Sequence, residues 1–95
     1  MSHAVADHVA HENAVRTAIG EMKAALNTFD LENADLKTCR QILDMANQHR
    51  DTLAGEWAAA SAGIGFDIAA VGDRALELGD PELARELYDT GYLYV

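Results

Sequence analysis

Cysteine, proline and long apolar runs are nearly absent from this sequence, and each absence excludes a class of protein. Among 95 residues there is one cysteine, Cys39, and one proline. A single thiol cannot form an intramolecular disulfide or a thiolate metal cluster. No stretch approaches the ~18 consecutive apolar residues that a membrane span requires. Residues 1–10 lack the apolar core of a signal peptide, so the sequence predicts a cytoplasmic protein with no membrane partner.

Basic residues are also scarce. Seven Lys and Arg stand against sixteen Asp and Glu, which gives a net charge of −9. The imbalance is greatest in residues 55–95, where eight acids face two bases. Phosphate contacts need Lys and Arg, so direct nucleic-acid binding is not expected. The apolar share of 49 % is nevertheless that of a globular protein, and this length predicts a single domain over residues 1–95.

Two apolar stripes with steps of three and four residues predict amphipathic helices. The first stripe is Val5, His8, Glu12, Val15, Ile19, Met22, Leu26 and Phe29. The second is Leu36, Cys39, Leu43, Ala46, Arg50, Leu53, Trp57 and Ala60. Residues 27–34 between them read as a turn, with Asn33 or Asp35 as the cap of the second helix. The sequence therefore predicts a long antiparallel hairpin over residues 4–60.

A shorter hairpin is predicted over residues 64–92. Gly63 and Gly65 weaken the helix near residue 64, and a new or kinked helix follows from about residue 67. Residues 79–81, Gly-Asp-Pro, are typical of a helix end, a helix cap and a first helical position. No convincing alternation indicates a strand. The predicted fold is all-α, with antiparallel helical hairpins forming a three- or four-helix bundle.

Residues 68–91 resemble one tetratricopeptide repeat. The resemblance rests on Val71, Gly72, Gly79, Ala84 and Tyr88. Small residues at positions 72 and 84 would let two helices approach closely, with the tyrosine filling the space beside them. The sequence departs from the pattern at Ala75 and Gly91, it has no closing proline, and the pattern is absent 34 residues earlier. The resemblance implies a role in binding protein partners.

The first helix begins with a cluster of imidazoles and carboxylates: His3, Asp7, His8, His11 and Glu12. Residues four apart share a helix face, and these ligand types suit Zn²⁺ or another divalent metal. The order is not the His-Glu-x-x-His motif of zinc proteases. A frayed, polar helix start is the favoured interpretation, and no cofactor is predicted. His8, His11 and Glu12 remain the candidates for a metal-binding helical bundle.

Glu12 and Arg50 occupy apolar-stripe positions on the two arms of the long hairpin. A chain reversal centred near residue 32 would bring these two residues within one helical turn of each other. Three interpretations are open: an ion pair that fixes the register of the hairpin, an end of the stripe that faces solvent or a partner, or an anion site built on Arg50.

The last two helices carry acids and an aromatic tail. The acids are Asp73, Glu77, Glu82, Glu86 and Asp89, spaced so that like charges share a face. They predict either a solvated face or a surface for a basic partner. Tyr92 and Tyr94 flank Leu93 in an apolar tail that either docks or binds a partner. Cys39 is predicted to lie in the core, and Trp57 in the core or an interface.

No catalytic set is present, so the sequence predicts a non-enzymatic protein–protein interaction module that forms a homo-oligomer. Its predicted binding residues are the five acids with Tyr92 and Tyr94. One alternative is a small acidic inhibitor, of the DNA-mimic or anti-CRISPR type, that presents its negative face to a nucleic-acid-binding protein. The other alternative is the metal-binding bundle.

Overall fold

The computed structural model describes the backbone of residues 2–95 and the side chains from His8 onward. The described part contains six helices and no strand, which confirms the prediction of an all-α fold. The helices are α1 (Ser2–Thr28), α2 (Leu36–Gln48), α3 (Arg50–Leu53), α4 (Trp57–Ser61), α5 (Ile64–Glu77) and α6 (Pro81–Tyr92). There are more helices than the predicted three or four because the predicted second helix is divided.

The apolar stripe of α1 is buried only in its second half. Residues 8–14 are all exposed, and burial begins at Val15 and continues through Ala18 and Met22. A helix of 27 residues extends about 40 Å, which is longer than the helices that pack against it. The side chains of Val5, His3 and Asp7, which the sequence placed in this stripe or its polar start, lie outside the described residues.

The turn after α1 is held by two aspartates. Asp30 accepts hydrogen bonds from the backbone N–H of Glu32 and Asn33, at 2.9 and 3.1 Å. Asp35 is the N-cap of α2 and accepts from the backbone N–H of Thr38 at 2.9 Å. Of the two residues that the sequence offered as the cap, Asp35 has this role.

These two aspartates predict a loss of stability at acid pH. Hydrogen bonds from Asn33 and Glu32 hold the pKa of Asp30 below its usual value of 3.8, and those from Thr38 do the same for Asp35. A folded-state pKa below the unfolded one stabilises the fold above the unfolded pKa. That contribution disappears as pH falls below 3.8 through the folded pKa. The urea midpoint should therefore drop between pH 5 and pH 2.5.

The double variant Asp30→Asn, Asp35→Asn is the control for this pH dependence. Asparagine still caps helices and turns but does not titrate. The acid-induced drop of the urea midpoint should be smaller in this variant than in the parent chain. An equal drop in both proteins would show that other groups cause the acid sensitivity.

The second arm of the predicted long hairpin is not one helix. His49 leaves the helical conformation between α2 and α3, and Gly55, with φ of 79°, separates α3 from α4. Positive φ values favour glycine, which has no Cβ to clash with the backbone. The backbone N–H of Gly55 donates to the carbonyl of Leu93 at 3.3 Å. The chain thus bends where it contacts the C-terminal residues.

The hairpin of α5 and α6 has the predicted ends. Gly79 has φ of 88°, and Asp80 accepts a hydrogen bond from the backbone N–H of Leu83 at 3.0 Å. Pro81 is the first residue of α6. The predicted roles of these residues at the turn are confirmed, although α5 begins earlier than expected, at Ile64.

One hydrophobic core joins the two halves of the chain. Its fully buried members include Met22, Cys39, Leu53, Ile64, Ile68, Leu83, Leu87 and Tyr94. Two basic side chains tie α1 and its following turn to α5: Lys23 donates to the carbonyl of Ala62 and lies 3.2 Å from Asp67, and Arg74 donates to the carbonyl of Ala34. Across the described residues, no helix combines the length and apolar character needed to cross a membrane.

Candidate functional site

α5 and α6 approach so closely that two glycines are required where they meet. A Cβ added to Gly65 would lie 2.5 Å from the carbonyl oxygen of Gly91, and one added to Gly91 would lie 2.7 Å from that of Gly65. At the other end of the hairpin, a Cβ on Gly72 would lie 2.8 Å from the ring of Tyr88 and 3.2 Å from the carbonyl oxygen of Ala84. The absence of a side chain at Gly72 therefore allows α5 to pack closely against Tyr88 of α6, as the sequence predicted for that position.

The two glycines leave a groove on the outer side of this hairpin. It has a volume of about 270 Å³ and is lined by Gly65, Phe66, Ala69, Tyr88, Gly91, Tyr92 and Val95. We call this set the aromatic groove. Phe66 and Ala69 belong to α5, Tyr88 and Tyr92 belong to α6, and Val95 follows α6. Since α5 and α6 run antiparallel, the start of one helix and the end of the other form the two walls.

Large apolar side chains of the aromatic groove are exposed to solvent. Phe66 is 70 % exposed, Tyr92 81 % and Val95 58 %. Isolated apolar residues on a surface are ordinary, whereas a contiguous apolar patch marks a surface used for binding. The prediction that Tyr92 is available to a partner is consistent with its exposure.

Tyr94 was predicted to bind a partner, and this prediction is wrong. Its side chain is 1 % exposed and packs in the core, and its hydroxyl donates a hydrogen bond to the carbonyl of Ala46. That carbonyl is in the last turn of α2, where helix carbonyls lack an intrahelical partner. Burial also raises the pKa of Tyr94. The tail thus docks through Tyr94 and exposes Tyr92.

Trp57 does not lie in the core, because 81 % of it is exposed at the start of α4. Of the two roles the sequence offered, the core role is wrong and the interface role stays a prediction. Cys39 is fully buried, as expected, and burial raises the pKa of its thiol. A thiol with a raised pKa is a poor nucleophile at neutral pH.

All five acids predicted to bind a partner are exposed: Asp73, Glu77, Glu82, Glu86 and Asp89. We call them the acidic hairpin residues. Asp73 accepts a hydrogen bond from the hydroxyl of Tyr88, which raises the pKa of that tyrosine. Glu77 lies 3.3 Å from Arg74, which also donates to the carbonyl of Ala34. Among the described residues, the other four acids have no basic ion-pair partner.

Three histidines each contact a glutamate. His8 lies 3.0 Å from Glu12 within α1, whereas His11 lies 2.7 Å from Glu56 and His49 lies 2.8 Å from Glu21. The last two pairs join α1 to the segment that follows α2. The pairs His8–Glu12 and His11–Glu56 line an open groove of about 410 Å³. Its other lining residues are Val15, Arg16, Ile19 and Ala58.

The three metal-ligand candidates are divided between different partners. His8 and Glu12 pair with each other, while His11 contacts Glu56. Within the part of the chain whose side chains are described, no three His, Cys, Asp or Glu residues are placed to hold one metal ion. Residues 8–14 are exposed, His3 and Asp7 of the predicted cluster lie outside the described side chains, and a metal site here stays a prediction.

The structure does not contain the ion pair between Glu12 and Arg50. Both residues are exposed, and Glu12 contacts His8 instead. His49, the neighbour of Arg50, contacts Glu21, which is nine residues and about 14 Å along α1 from Glu12. Arg50 therefore lies nearer to Glu21 than to Glu12 along α1, and both Glu12 and Arg50 face solvent.

The aromatic groove is the site that sequence reasoning missed. Phe66 stands in a stretch that reads as a helix break, and Gly65 reads as a helix-weakening residue. The available signal was that both glycines fall within helical apolar patterns, where glycine is a poor helix former and often marks a close approach of two backbones. Comparison with protein-family models, curated proteins and solved structures finds no match for this chain. Its proposed function therefore rests on its own residues.

Proposed function

We propose that this chain is a non-enzymatic protein–protein interaction module and that the aromatic groove is its docking surface. The observation that carries the proposal is the exposure of Phe66, Tyr92 and Val95 around one groove, while Tyr94 beside them is buried. Aromatic side chains are enriched at protein interfaces because they supply large contact area at low conformational cost. The resemblance of residues 68–91 to a tetratricopeptide repeat supports the same role.

The size and chemistry of the groove support a protein partner over a small ligand. Its volume of about 270 Å³ is below the ~300–1,000 Å³ of typical small-molecule sites. Its lining residues are apolar or aromatic, and none has a charged side chain. Small-molecule sites usually add a few placed polar groups to fix the orientation of the ligand. An apolar side chain of a partner protein fits this groove better.

Partner binding should fall at least tenfold in the variant Phe66→Ala, Tyr92→Ala, because truncation of aromatic anchors at an interface costs about 2 kcal/mol or more. The measurement is quantitative mass spectrometry of proteins that copurify with the tagged chain from its own cells. The matched control is Leu31→Ala, which removes a residue that is 51 % exposed in the turn after α1. Equal losses in both variants would contradict a docking role for the groove.

Self-association stays a prediction, and solution mass by multi-angle light scattering at low and high salt tests it. We expect a dimer or larger assembly that persists in high salt, because apolar contacts are not screened. The Phe66→Ala, Tyr92→Ala variant should keep the mass of the parent chain, because the acidic hairpin residues beside the groove oppose a second copy there. A monomer at every salt concentration in the parent chain would contradict the homo-oligomer.

An acidic inhibitor of a nucleic-acid-binding protein is the second candidate. The observation that favours it is the exposure of all five acidic hairpin residues on adjoining helices. A field of one sign attracts a basic surface and speeds association. Binding through these residues alone should disappear at high salt, whereas binding through the aromatic groove should persist. Substituting Glu82 and Glu86 by glutamine should weaken partner binding through the acidic hairpin residues. The same substitution should leave partner binding through the aromatic groove unchanged, because neither residue lines it.

A further inference from the structure

We propose that the aromatic groove binds a basic segment of another protein, which places an apolar side chain between Phe66 and Tyr92 and a Lys or Arg beside Asp73. This inference rests on the proposed function and adds the chemistry of the partner.

The groove is suited to receive one bulky side chain. Gly65 and Gly91 line the groove, and their backbones are in close contact there. Phe66, Tyr92 and Val95 line the same groove and are exposed to solvent. An apolar side chain placed here would remove several large apolar surfaces from water at once, and that burial favours binding.

Acidic groups border the apolar groove. The hydroxyl of Tyr88, a lining residue, donates to Asp73, which lies one helical turn beyond the lining residue Ala69 on α5. Asp89 lies one turn before Tyr92 on the exposed side of α6. Since neither carboxylate has a basic partner among the described residues, each has acceptor sites free for a cation.

The negative charge of the acidic hairpin residues disfavours two other occupants of the groove, a second copy of this chain and a membrane surface. A second copy docked with the same face would bring two sets of acidic hairpin residues together, and like charges placed against each other oppose binding. A membrane surface carrying anionic lipids would also repel these residues. The only bases on α5 and α6 are Arg74, which is engaged with Ala34 and Glu77, and Arg85. A basic protein segment is the complementary partner.

The test uses the full chain as bait for a phage-displayed library of random 12-residue peptides. We expect the enriched peptides to combine bulky apolar residues with an excess of Lys and Arg. A synthetic copy of the strongest peptide is then titrated by fluorescence anisotropy. Its affinity should fall at least tenfold for Phe66→Ala, Tyr92→Ala and about three- to tenfold for Asp73→Asn, Asp89→Asn. Asparagine at position 73 still accepts the hydrogen bond of Tyr88, so the groove should keep its shape.

The control variants are Leu31→Ala and Asp51→Asn, an exposed apolar residue and an exposed acid away from the groove. Neither should change the affinity. Enriched apolar peptides without basic residues, lost with the aromatic variant, would overturn the inference and leave the proposed function standing. Peptides whose binding is unaffected by the aromatic variant, or no enriched peptide, would count against both. Circular dichroism of each variant shows that a lost affinity is not lost folding.

Discussion

Replacing Tyr94 with alanine is expected to lower the free energy of unfolding by about 3–5 kcal/mol, the usual cost of truncating a buried aromatic ring. The side chain is 1 % exposed and packs against the same core that α2, α5 and α6 share. Its removal also leaves the carbonyl of Ala46 without its hydrogen-bond donor. Urea denaturation followed by circular dichroism measures the change. A stability of this order is a large part of what a small domain has.

Two further variants separate the causes. Tyr94→Phe keeps the ring and loses only the hydroxyl, so its cost should be about 1 kcal/mol. Tyr92→Ala, two residues away, removes a ring that is 81 % exposed and should change stability by less than about 0.5 kcal/mol. Similar effects of the two alanine variants would contradict the opposite burial of these tyrosines.

Gly91→Ala is the second substitution with a large expected effect. The new methyl group would lie 2.7 Å from the carbonyl oxygen of Gly65, and that neighbour is backbone, which cannot rotate away. Overpacking of this kind costs about 1–3 kcal/mol or more. Gly65→Ala should behave alike, since its Cβ would lie 2.5 Å from the carbonyl oxygen of Gly91. Both variants should force α5 and α6 apart and lower the melting temperature.

Gly20→Ala is the matched control, because it makes the same chemical change inside a helix where nothing lies within 4 Å of the new Cβ. Alanine is the better helix former, so this variant should gain about 0.5–1 kcal/mol of stability. Gly91→Ala should lower the stability and Gly20→Ala should raise it, and this opposite change tests the contact between α5 and α6. If Gly91→Ala were neutral or stabilising, the close approach of α5 and α6 would be refuted.

The parts of the fold that could be predicted are those set by local chemistry. At residues 79–81 a glycine, an aspartate and a proline each have one local role, and no tertiary contact overrides them. The buried stripe of α1 from Val15 onward follows directly from helical periodicity. For the same reason the all-α fold was predictable from the sequence.

The break between α3 and α4 could not be predicted, because the stripe residues Leu53 and Trp57 continue across it at helical spacing. Gly55 alone costs a helix only about 1 kcal/mol. What favours the bend is a contact distant in sequence, from the N–H of Gly55 to the carbonyl of Leu93. Once the helix ends there, Trp57 turns to solvent.

The candidate site was only partly predictable for a similar reason. α6 ends at Tyr92, so helical periodicity does not say where Tyr94 points. The two tyrosines looked alike in sequence and have opposite environments. Phe66 faces the same groove as Tyr92 because Gly65 and Gly91 bring their helices together, and that pairing spans 26 residues of sequence.

Site-specific photo-crosslinking tests the central claim, that the aromatic groove is where this chain binds another protein. Benzoylphenylalanine replaces Tyr92 in the chain expressed in its own cells, and Leu31 carries the same probe as a control. We predict a discrete crosslinked product from position 92 that is lost when Phe66 is changed to alanine, and none from position 31. The absence of a product at position 92, or equal products from both positions, would contradict the claim.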